Sequence, residues 1–187
     1  MPKVGMEPIR RKALVSATIA EIGAAGSLDV TVSQIAKRAG MSSALAHHYF
    51  GGKDQIFEAA MLHILRQFRA EVVAGLRAAR TPWARAEALI DASFAPSCFD
   101  AATVSAWMTL YAQATAQPAM LRLLRLYQAR LKSNLTHALR PLSAQAEADA
   151  ETLGALIDGL YLRAALAGGG DQAKATAHRV LCSLIGD

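Results

Sequence analysis

Apolar residues recur at helical spacing along most of the 187-residue chain, and polar residues fill the positions between them. No useful length of sequence alternates apolar and polar residues with the period of two that a half-buried strand requires. Glycine and proline interrupt the helical pattern at intervals. The pattern predicts an all-α fold of nine helices: one at 8–26, two short ones within 31–50, and six at 54–79, 83–93, 101–115, 118–141, 146–167 and 171–184.

The segment TVSQIAKRAGMSSALAHHYFGGK, from residue 31 to residue 53, carries the most specific local signals. Thr31 and Gln34 have the spacing of a capping box, which starts a helix by satisfying two backbone amides. Gly40 supplies the positive φ of a sharp turn, and Ser42 or Ser43 caps a second helix. Two short helices around a tight glycine turn are typical of a helix-turn-helix, although a helical hairpin in another kind of bundle has the same outline.

The second of these helices is predicted to enter a DNA major groove and is called the recognition helix below. Ser43, His47 and His48 lie on its outer side and are predicted to come closest to base edges. Thr31 and Lys53 lie at helix starts, where backbone amides bind phosphate, and are predicted to fix position on the DNA backbone. The predicted DNA-contacting residues are Thr31, Ser33, Ser42, Ser43, Ala44, His47, His48, Tyr49 and Lys53.

The distribution of charge favours the same interpretation. The whole chain has a formal net charge of +5. Residues 1–53 hold a net charge of +4, so residues 54–187 are nearly neutral, and we expect a DNA-binding head (1–53) and an effector-binding and dimerisation body (54–187). Arg10, Arg11 and Lys12 are expected either to contact the DNA backbone or to form a solvated face. The charged residues of the head are Lys3, Arg10, Arg11, Lys12, Lys37, Arg38 and Lys53 against Glu7, Glu21 and Asp29.

Motifs for other chemistry are missing from the sequence. The five histidines form neither an HxxxH nor an HExxH set, and the two cysteines do not approach a zinc pattern. There is no GxSxG, phosphate loop or GxGxxG motif. We therefore predict no metal site, no cofactor and no catalytic residue, and an enzyme is the rival class, which turnover of a small substrate by the pure protein would reveal.

The cellular setting is inferred from cysteine usage and hydrophobicity. Cys98 and Cys182 lie far apart, which predicts two ordinary buried thiols in a reducing compartment. The first twelve residues lack the apolar region of a signal peptide, and Asp158 and Arg163 interrupt the most hydrophobic later stretch. We expect a soluble cytoplasmic protein.

The last two predicted helices, at 146–167 and 171–184, indicate self-association. Their faces are apolar, and Gly154, Ala155 and Gly159 are small enough for another helix to approach closely. The chain has no obvious further element to cover these faces. A homodimer is therefore predicted, and paired recognition helices also suit paired DNA half-sites.

The arrangement resembles the TetR family of bacterial repressors, most specifically in TVSQIAKRAGMSS, HHYF, Lys53 and Ile56. MPKVGMEPIRRKAL, HYF and LIDGLYLRAALAG are similar to the choline-responsive branch of that family, which controls genes for choline uptake and oxidation to glycine betaine. The resemblance implies a three-helix DNA-binding head and a six-helix ligand-binding and dimerisation body. His47 stands where many members have a tyrosine, so phosphate contacts of that hydroxyl cannot be carried over. A repressor for another small cationic or hydrophobic ligand, or a DNA-binding or scaffold protein without an effector, remains open.

An effector site is expected in the body. Trp107 and Tyr111 are four residues apart and share a helical face, and Asp158 and Tyr161 are three apart on another. If the faces meet, they offer ring walls and one carboxylate, which suit the quaternary ammonium that the resemblance implies, because such a cation is held by ring faces. The same residues also suit a plain core, and Asp158 also suits a dimer interface. Phe94, Phe99 and Tyr127 are the alternative ring residues for the effector site.

Overall fold

The computed structural model describes residues 6–26 and 29–186. Lys3, counted above in the charge of the head, lies outside them. Within the described residues the fold is all-α, as predicted, and no strand is present. The α-helices are α1 (Met6–Ala25), α2 (Val32–Arg38), α3 (Ser43–Phe50), α4 (Lys53–Ala78), α5 (Pro82–Ser93), α6 (Ala101–Ala114), α7 (Pro118–Leu139), α8 (Ala146–Ala167) and α9 (Asp171–Ile185), with a short 3-10 helix at Pro96–Phe99.

The chain divides into two compact units. The first consists of Met1–Ile64 and Ala101–Leu123, and the second of Leu65–Asp100 and Leu124–Asp187. The predicted boundary at Lys53 falls inside the first unit. The division of function between residues 1–53 and 54–187 therefore stays a prediction.

The first unit is organised around α1, which packs against α2, α3 and α6. Apolar side chains from each of these helices are removed from water, and this burial is the main stabilising contribution. The fully buried large side chains of this unit are Leu14, Ile22, Ile35, Ile56, Met61, Leu110 and Met120. The short helices α2 and α3 are therefore held against a longer helix that the sequence places before them.

A close crossing of α1 and α6 occurs at Gly23. A Cβ atom added at Gly23 would lie 2.7 Å from the Cβ and 2.9 Å from the Cα of Ala102. Both separations are shorter than van der Waals contact between carbon atoms. Gly23 therefore permits this crossing by having no side chain, and the sequence pattern had not marked it.

The second unit contains the pair α8 and α9, and α5 packs against both. His178 of α9 lies with its Nε2 atom 2.9 Å from Oδ1 of Asp91 on α5, which adds a polar link to the apolar packing. The core of this unit includes Leu89, Ile90, Leu131, Leu135, Leu139, Leu153, Ile157, Ala177 and Leu181.

The two cysteines differ in environment. Cys98 is buried, and its burial together with the nearby Glu71 carboxylate raises the pKa of the thiol to about 11. This thiol stays protonated at neutral pH, and thiolate is the reactive form. Cys182 is exposed, so the expectation of a buried thiol is wrong at this position, because the exposed side of α9 carries it.

We expect Gly23→Ala to lower the free energy of unfolding by about 1–3 kcal/mol, since the new methyl group overpacks the contact with Ala102. Urea denaturation monitored by circular dichroism measures the change. Ala102→Gly in the same chain removes one of the clashing atoms and should restore part of the loss. Additive effects of the two substitutions would contradict the proposed crossing, because residues in contact are expected to couple.

Candidate DNA interface and effector residues

Helix α2 starts at the predicted capping box. The Thr31 side-chain oxygen accepts from the Gln34 backbone amide at 3.1 Å, and the Gln34 side-chain oxygen accepts from the Thr31 amide at 2.7 Å. Thr31 and Ser33 are both exposed. The N-terminus of α2 is thereby fixed, and the side chains of Thr31 and Ser33 are exposed to solvent beside it.

The turn into the recognition helix, which is α3, also follows the prediction. Gly40 has φ +67°, a conformation that is easily adopted by glycine. The backbone amide of Met41 donates to the carbonyl of Ala36 at 2.9 Å. Of the two serines considered, Ser42 is the N-cap, since its hydroxyl accepts from the Leu45 amide at 3.2 Å.

The outer side of α3 carries the predicted base-reading residues. Ala44, His47 and His48 are exposed, whereas Ser43 and Tyr49 are half-buried. Ala46 is fully buried and marks the inner side. Positions three and four apart share a helical face, so Ala44, His47 and His48 form one exposed surface. Their contact with DNA stays a prediction.

The ring orientation of His47 follows from a hydrogen bond. Its Nδ1 atom lies 2.8 Å from the carbonyl oxygen of Gly51. A carbonyl only accepts, so Nδ1 carries the hydrogen, and Nε2 of the neutral ring is an acceptor. In the major groove such an acceptor matches the amino groups of cytosine and adenine.

Arg11 of α1 binds the end of the recognition helix. Its two terminal nitrogens donate to the carbonyl oxygen of Tyr49 at 2.9 and 2.6 Å, and its guanidinium carbon lies 4.7 Å from the centre of the Phe50 ring. Glu7 completes the group, with Oε1 3.7 Å from Nε of Arg11. The cation satisfies a carbonyl at the negative end of the helix. We therefore assign Arg11 to positioning, a role that neither sequence expectation for this residue included.

Arg10, Lys12 and Lys53 complete the basic residues considered for the DNA backbone. A terminal nitrogen of Arg10 donates to the Tyr49 hydroxyl at 3.4 Å, while Lys12 is exposed. Lys53 is the first residue of α4 and is exposed. Lys53 therefore combines a cationic side chain with the position of a helix N-terminus, where backbone amides favour phosphate.

The predicted effector residues form two pairs. Trp107 and Tyr111 lie on α6 in the first unit, with ring centroids 6.1 Å apart, and Trp107 is buried. Asp158 and Tyr161 lie on α8 in the second unit. The spacing thus gives neighbouring rings at Trp107 and Tyr111, while the cage that both pairs would share stays a prediction.

Tyr161 and Asp158 contact residues that lie far from them in the sequence. The Tyr161 hydroxyl donates to the carbonyl oxygen of Cys98 at 2.9 Å, and its ring centroid is 5.3 Å from that of Phe99. The Tyr127 hydroxyl donates to Oδ1 of Asp158 at 2.9 Å. Tyr127 also meets Phe68 edge to face, with centroids 5.8 Å apart. These partners come from other helices, so no periodicity within one helix reveals them.

Residues 6–26 and 29–186 contain neither a helix suited to cross a membrane nor a cluster of metal-ligating side chains. In this part of the chain, no helix combines the length and apolar character needed to cross a bilayer. No group of three or more histidine, cysteine, aspartate or glutamate side chains there is arranged to hold a metal ion.

Two regions of the chain match known protein families. Residues 14–60 match the family described as bacterial regulatory proteins, tetR family, and residues 82–186 match the BetI-type transcriptional repressor C-terminal domain. The chain belongs to the TetR family. It is 51% identical over 168 residues to the HTH-type transcriptional regulator BetI of Brucella suis, covering 89% of this chain and 85% of that protein. The resemblance to the TetR family and to its BetI branch is confirmed.

Solved structures show the same fold. A TetR transcription regulator from Haloarcula marismortui superposes with a TM-score of 0.87 at 21% identity, covering 95% of this chain and 99% of that one. A putative transcriptional regulator from Saccharomonospora viridis, solved in complex with choline, gives 0.82 at 21% identity, covering 91% and 94%. The TetR family consists of transcriptional regulators, not enzymes, and its members bind operator DNA as dimers. The chain is accordingly a DNA-binding transcriptional repressor.

Substitutions of Arg11 and of Lys53 are expected to affect the salt dependence of DNA binding differently. Arg11→Gln should weaken operator binding about tenfold, since charge-assisted hydrogen bonds to the end of α3 are lost, without changing the slope of log affinity against log salt. Lys53→Ala should weaken binding to all DNA and reduce the slope by about 0.9, one phosphate contact. Fluorescence anisotropy with an operator duplex selected by the protein from a random-sequence library measures both.

Arg11→Lys serves as the matched control, because lysine keeps the charge but cannot donate through a planar fork and stack on Phe50 in the same way. Arg11→Lys should therefore not recover the operator affinity that Arg11→Gln loses. A reduced salt slope in Arg11→Gln would make Arg11 a phosphate contact, and an unchanged slope in Lys53→Ala would remove Lys53 from the DNA interface.

Proposed function

We propose that this repressor controls genes for choline uptake and glycine betaine synthesis and leaves its operator when choline or a related quaternary ammonium binds. The BetI-type match over residues 82–186 carries the proposal. The choline complex of the Saccharomonospora viridis regulator, which shares this fold, supports a quaternary ammonium as the effector. Since operator DNA is its partner, we place the protein in the bacterial cytoplasm.

DNA recognition is assigned to α2, α3 and the start of α4. His47, His48 and Ser43 read base edges, Ala44 offers a methyl group for apolar contact, and the remaining predicted residues hold the backbone. Two recognition helices of a dimer enter successive major grooves. Effector binding favours a second state in which the two helices are wrongly spaced for the operator, so the ligand acts by shifting a two-state equilibrium.

The dimer interface is assigned to α8 and α9. Along α8, Ala155, Gly159 and Leu166 are exposed at positions that share a face, and 80% of the Leu166 surface is exposed. A Cβ added at Gly159 meets nothing within 4 Å in the single chain. A helix face of exposed apolar and small residues suits close packing against α8 and α9 of a second copy.

The effector cage is assigned to Trp107, Tyr111 and Tyr161 as walls and to Asp158 as the countercharge. A quaternary ammonium has no hydrogen-bond donor, so ring faces hold it by cation–π attraction and a nearby carboxylate balances its charge. The carboxylate of Asp158 accepts from Tyr127 and Gln128, contacts that stabilise its charged form.

Choline titrated into the protein–operator complex should release the DNA, as measured by fluorescence anisotropy, because the bound cation favours the state with wrongly spaced heads.

In calorimetry, Trp107→Leu and Tyr161→Leu should each lose about 1–2 kcal/mol of choline binding, roughly tenfold or more. Operator affinity without ligand should stay near normal in both variants.

The DNA-release and calorimetry experiments distinguish failure of the proposed function from failure of the proposed effector residues. A complex that choline does not dissociate contradicts the proposed effector and favours a repressor for another cationic or hydrophobic ligand, or a DNA-binding protein without an effector. Release by choline with wild-type affinity in both folded variants keeps the function and assigns the rings to the core.

Gly159→Leu should dissociate or unfold the dimer, because the larger side chain separates the paired helices. Light scattering at micromolar concentration reports the mass. Gly159→Ala is the matched control: its methyl group meets no atom of the same chain, so each chain should fold normally, and it should separate the paired helices less than leucine does. A monomeric wild-type protein under these conditions would exclude the interface.

A further inference from the structure

His47 is bound twice to Gly51, the residue that ends the recognition helix. Its ring atom Nδ1 lies 2.8 Å from the carbonyl oxygen of Gly51, and its own carbonyl accepts from the Gly51 amide at 2.7 Å. Gly51 has φ +82°, a conformation that residues with a side chain rarely adopt. The orientation of the His47 ring is therefore tied to a backbone carbonyl whose position depends on a glycine.

This hydrogen bond restricts what the ring can offer to DNA. A carbonyl only accepts, so Nδ1 keeps its hydrogen whether the ring is neutral or protonated. The hydrogen bond made by one ring nitrogen decides which tautomer of a neutral histidine is present. The two charge states of His47 then differ only at Nε2, which is an acceptor in the neutral ring and a donor in the protonated ring.

The charged groups near the recognition helix leave His47 without an ion pair within the described part of the chain. Glu7 pairs with Arg11 and Glu21 with Arg38, so these carboxylates already have cationic partners. His47 is exposed, and a histidine ordinarily changes its charge between about pH 5 and pH 8. The titratable and charged side chains on α3, on the helices α1 and α2 that pack against it, and at the start of α4 are Glu7, Arg10, Arg11, Lys12, Glu21, Lys37, Arg38, His48, Tyr49, Lys53 and Asp54.

We propose that His47 sets the base preference at one position of each operator half-site, and that protonation of its Nε2 inverts this preference. The inference rests on the proposed assignment of α3 to base reading. In the major groove, the neutral ring accepts from the amino group of adenine or cytosine, whereas the protonated ring donates to N7 or O6 of guanine or to O4 of thymine. The bond to Gly51 makes each state selective, because it prevents the neutral ring from donating through Nε2.

His48 provides an internal comparison on the same exposed side of α3. Its ring meets the Tyr49 ring edge to face, with centroids 5.5 Å apart, and it forms no hydrogen bond with another described residue. Either ring nitrogen of neutral His48 can therefore carry the hydrogen. Protonation of His48 adds a donor to a ring that can already donate, so it should not invert a base preference in the way expected for His47.

Fluorescence anisotropy at about pH 8 and about pH 5.5 tests the proposal, because these values lie on either side of an ordinary histidine titration. The DNA is an operator duplex selected by the protein from a random-sequence library at the higher pH, with each base pair replaced in turn in both half-sites. At the higher pH, one position should require adenine or cytosine, and guanine or thymine there should weaken binding about threefold to tenfold per contact. At the lower pH, the same replacement should be neutral or should tighten binding.

His47→Gln should remove the pH dependence at this position, because a glutamine amide offers an acceptor and a donor at every pH. His48→Gln is the matched control, because it replaces the neighbouring exposed histidine in the same way, and the inversion should persist in this variant. Circular dichroism at both pH values checks that each protein is folded.

Four results would overturn the proposal. Specific binding without any position that changes its base preference with pH would contradict this inference alone. Tighter binding of every sequence at the lower pH, with a salt slope steeper by about 0.9, would make His47 a phosphate contact. An inversion that persists in His47→Gln, or that is lost in His48→Gln, would belong to another group. Absence of sequence-specific binding at both pH values would contradict the assignment of α3 to base reading as well.

Discussion

The recognition helix depends on contacts at its two ends. Helix α3 spans eight residues, Ser43–Phe50, and isolated helices shorter than about 12–15 residues are marginal in water. Ser42 fixes its start through a side-chain cap, and Arg11 fixes its end through the Tyr49 carbonyl and the Phe50 ring. The direction in which His47 and His48 project is therefore set by α1, a helix that does not itself carry the predicted base-reading residues.

This dependence extends through α1 to α6. Gly23 on α1 lets Ala102 on α6 approach more closely than any side chain would allow. The same helix thus holds the recognition helix near its N-terminal end and α6 near its C-terminal end. Helix α6 carries Trp107 and Tyr111, so two of the proposed effector residues lie on a helix that packs directly against the support of the recognition helix. Packed helices tend to move as units because protein interiors are dense.

The sequence predicted those features whose partners lie within a few residues of each other. The capping box of Thr31 and Gln34 and the positive φ of Gly40 depend on local backbone geometry, which fixed spacings express directly. The contact of Arg11 with Tyr49 joins residues 38 apart, and that of Tyr127 with Asp158 joins residues 31 apart. Such contacts depend on how helices cross, and periodicity within one helix does not contain that information. The proposed cage depends on the same kind of long-range geometry.

Tyr127 connects two chemically different environments in the second unit. Its ring lines a groove between α4 and α7, while its hydroxyl donates to Asp158 on α8. A ligand in the groove that displaces the ring would lengthen this hydrogen bond, and the carboxylate would then lose one of the donors that stabilise its charge. Because coupling between two sites is reciprocal in free energy, a cation bound near Asp158 would in turn alter the groove.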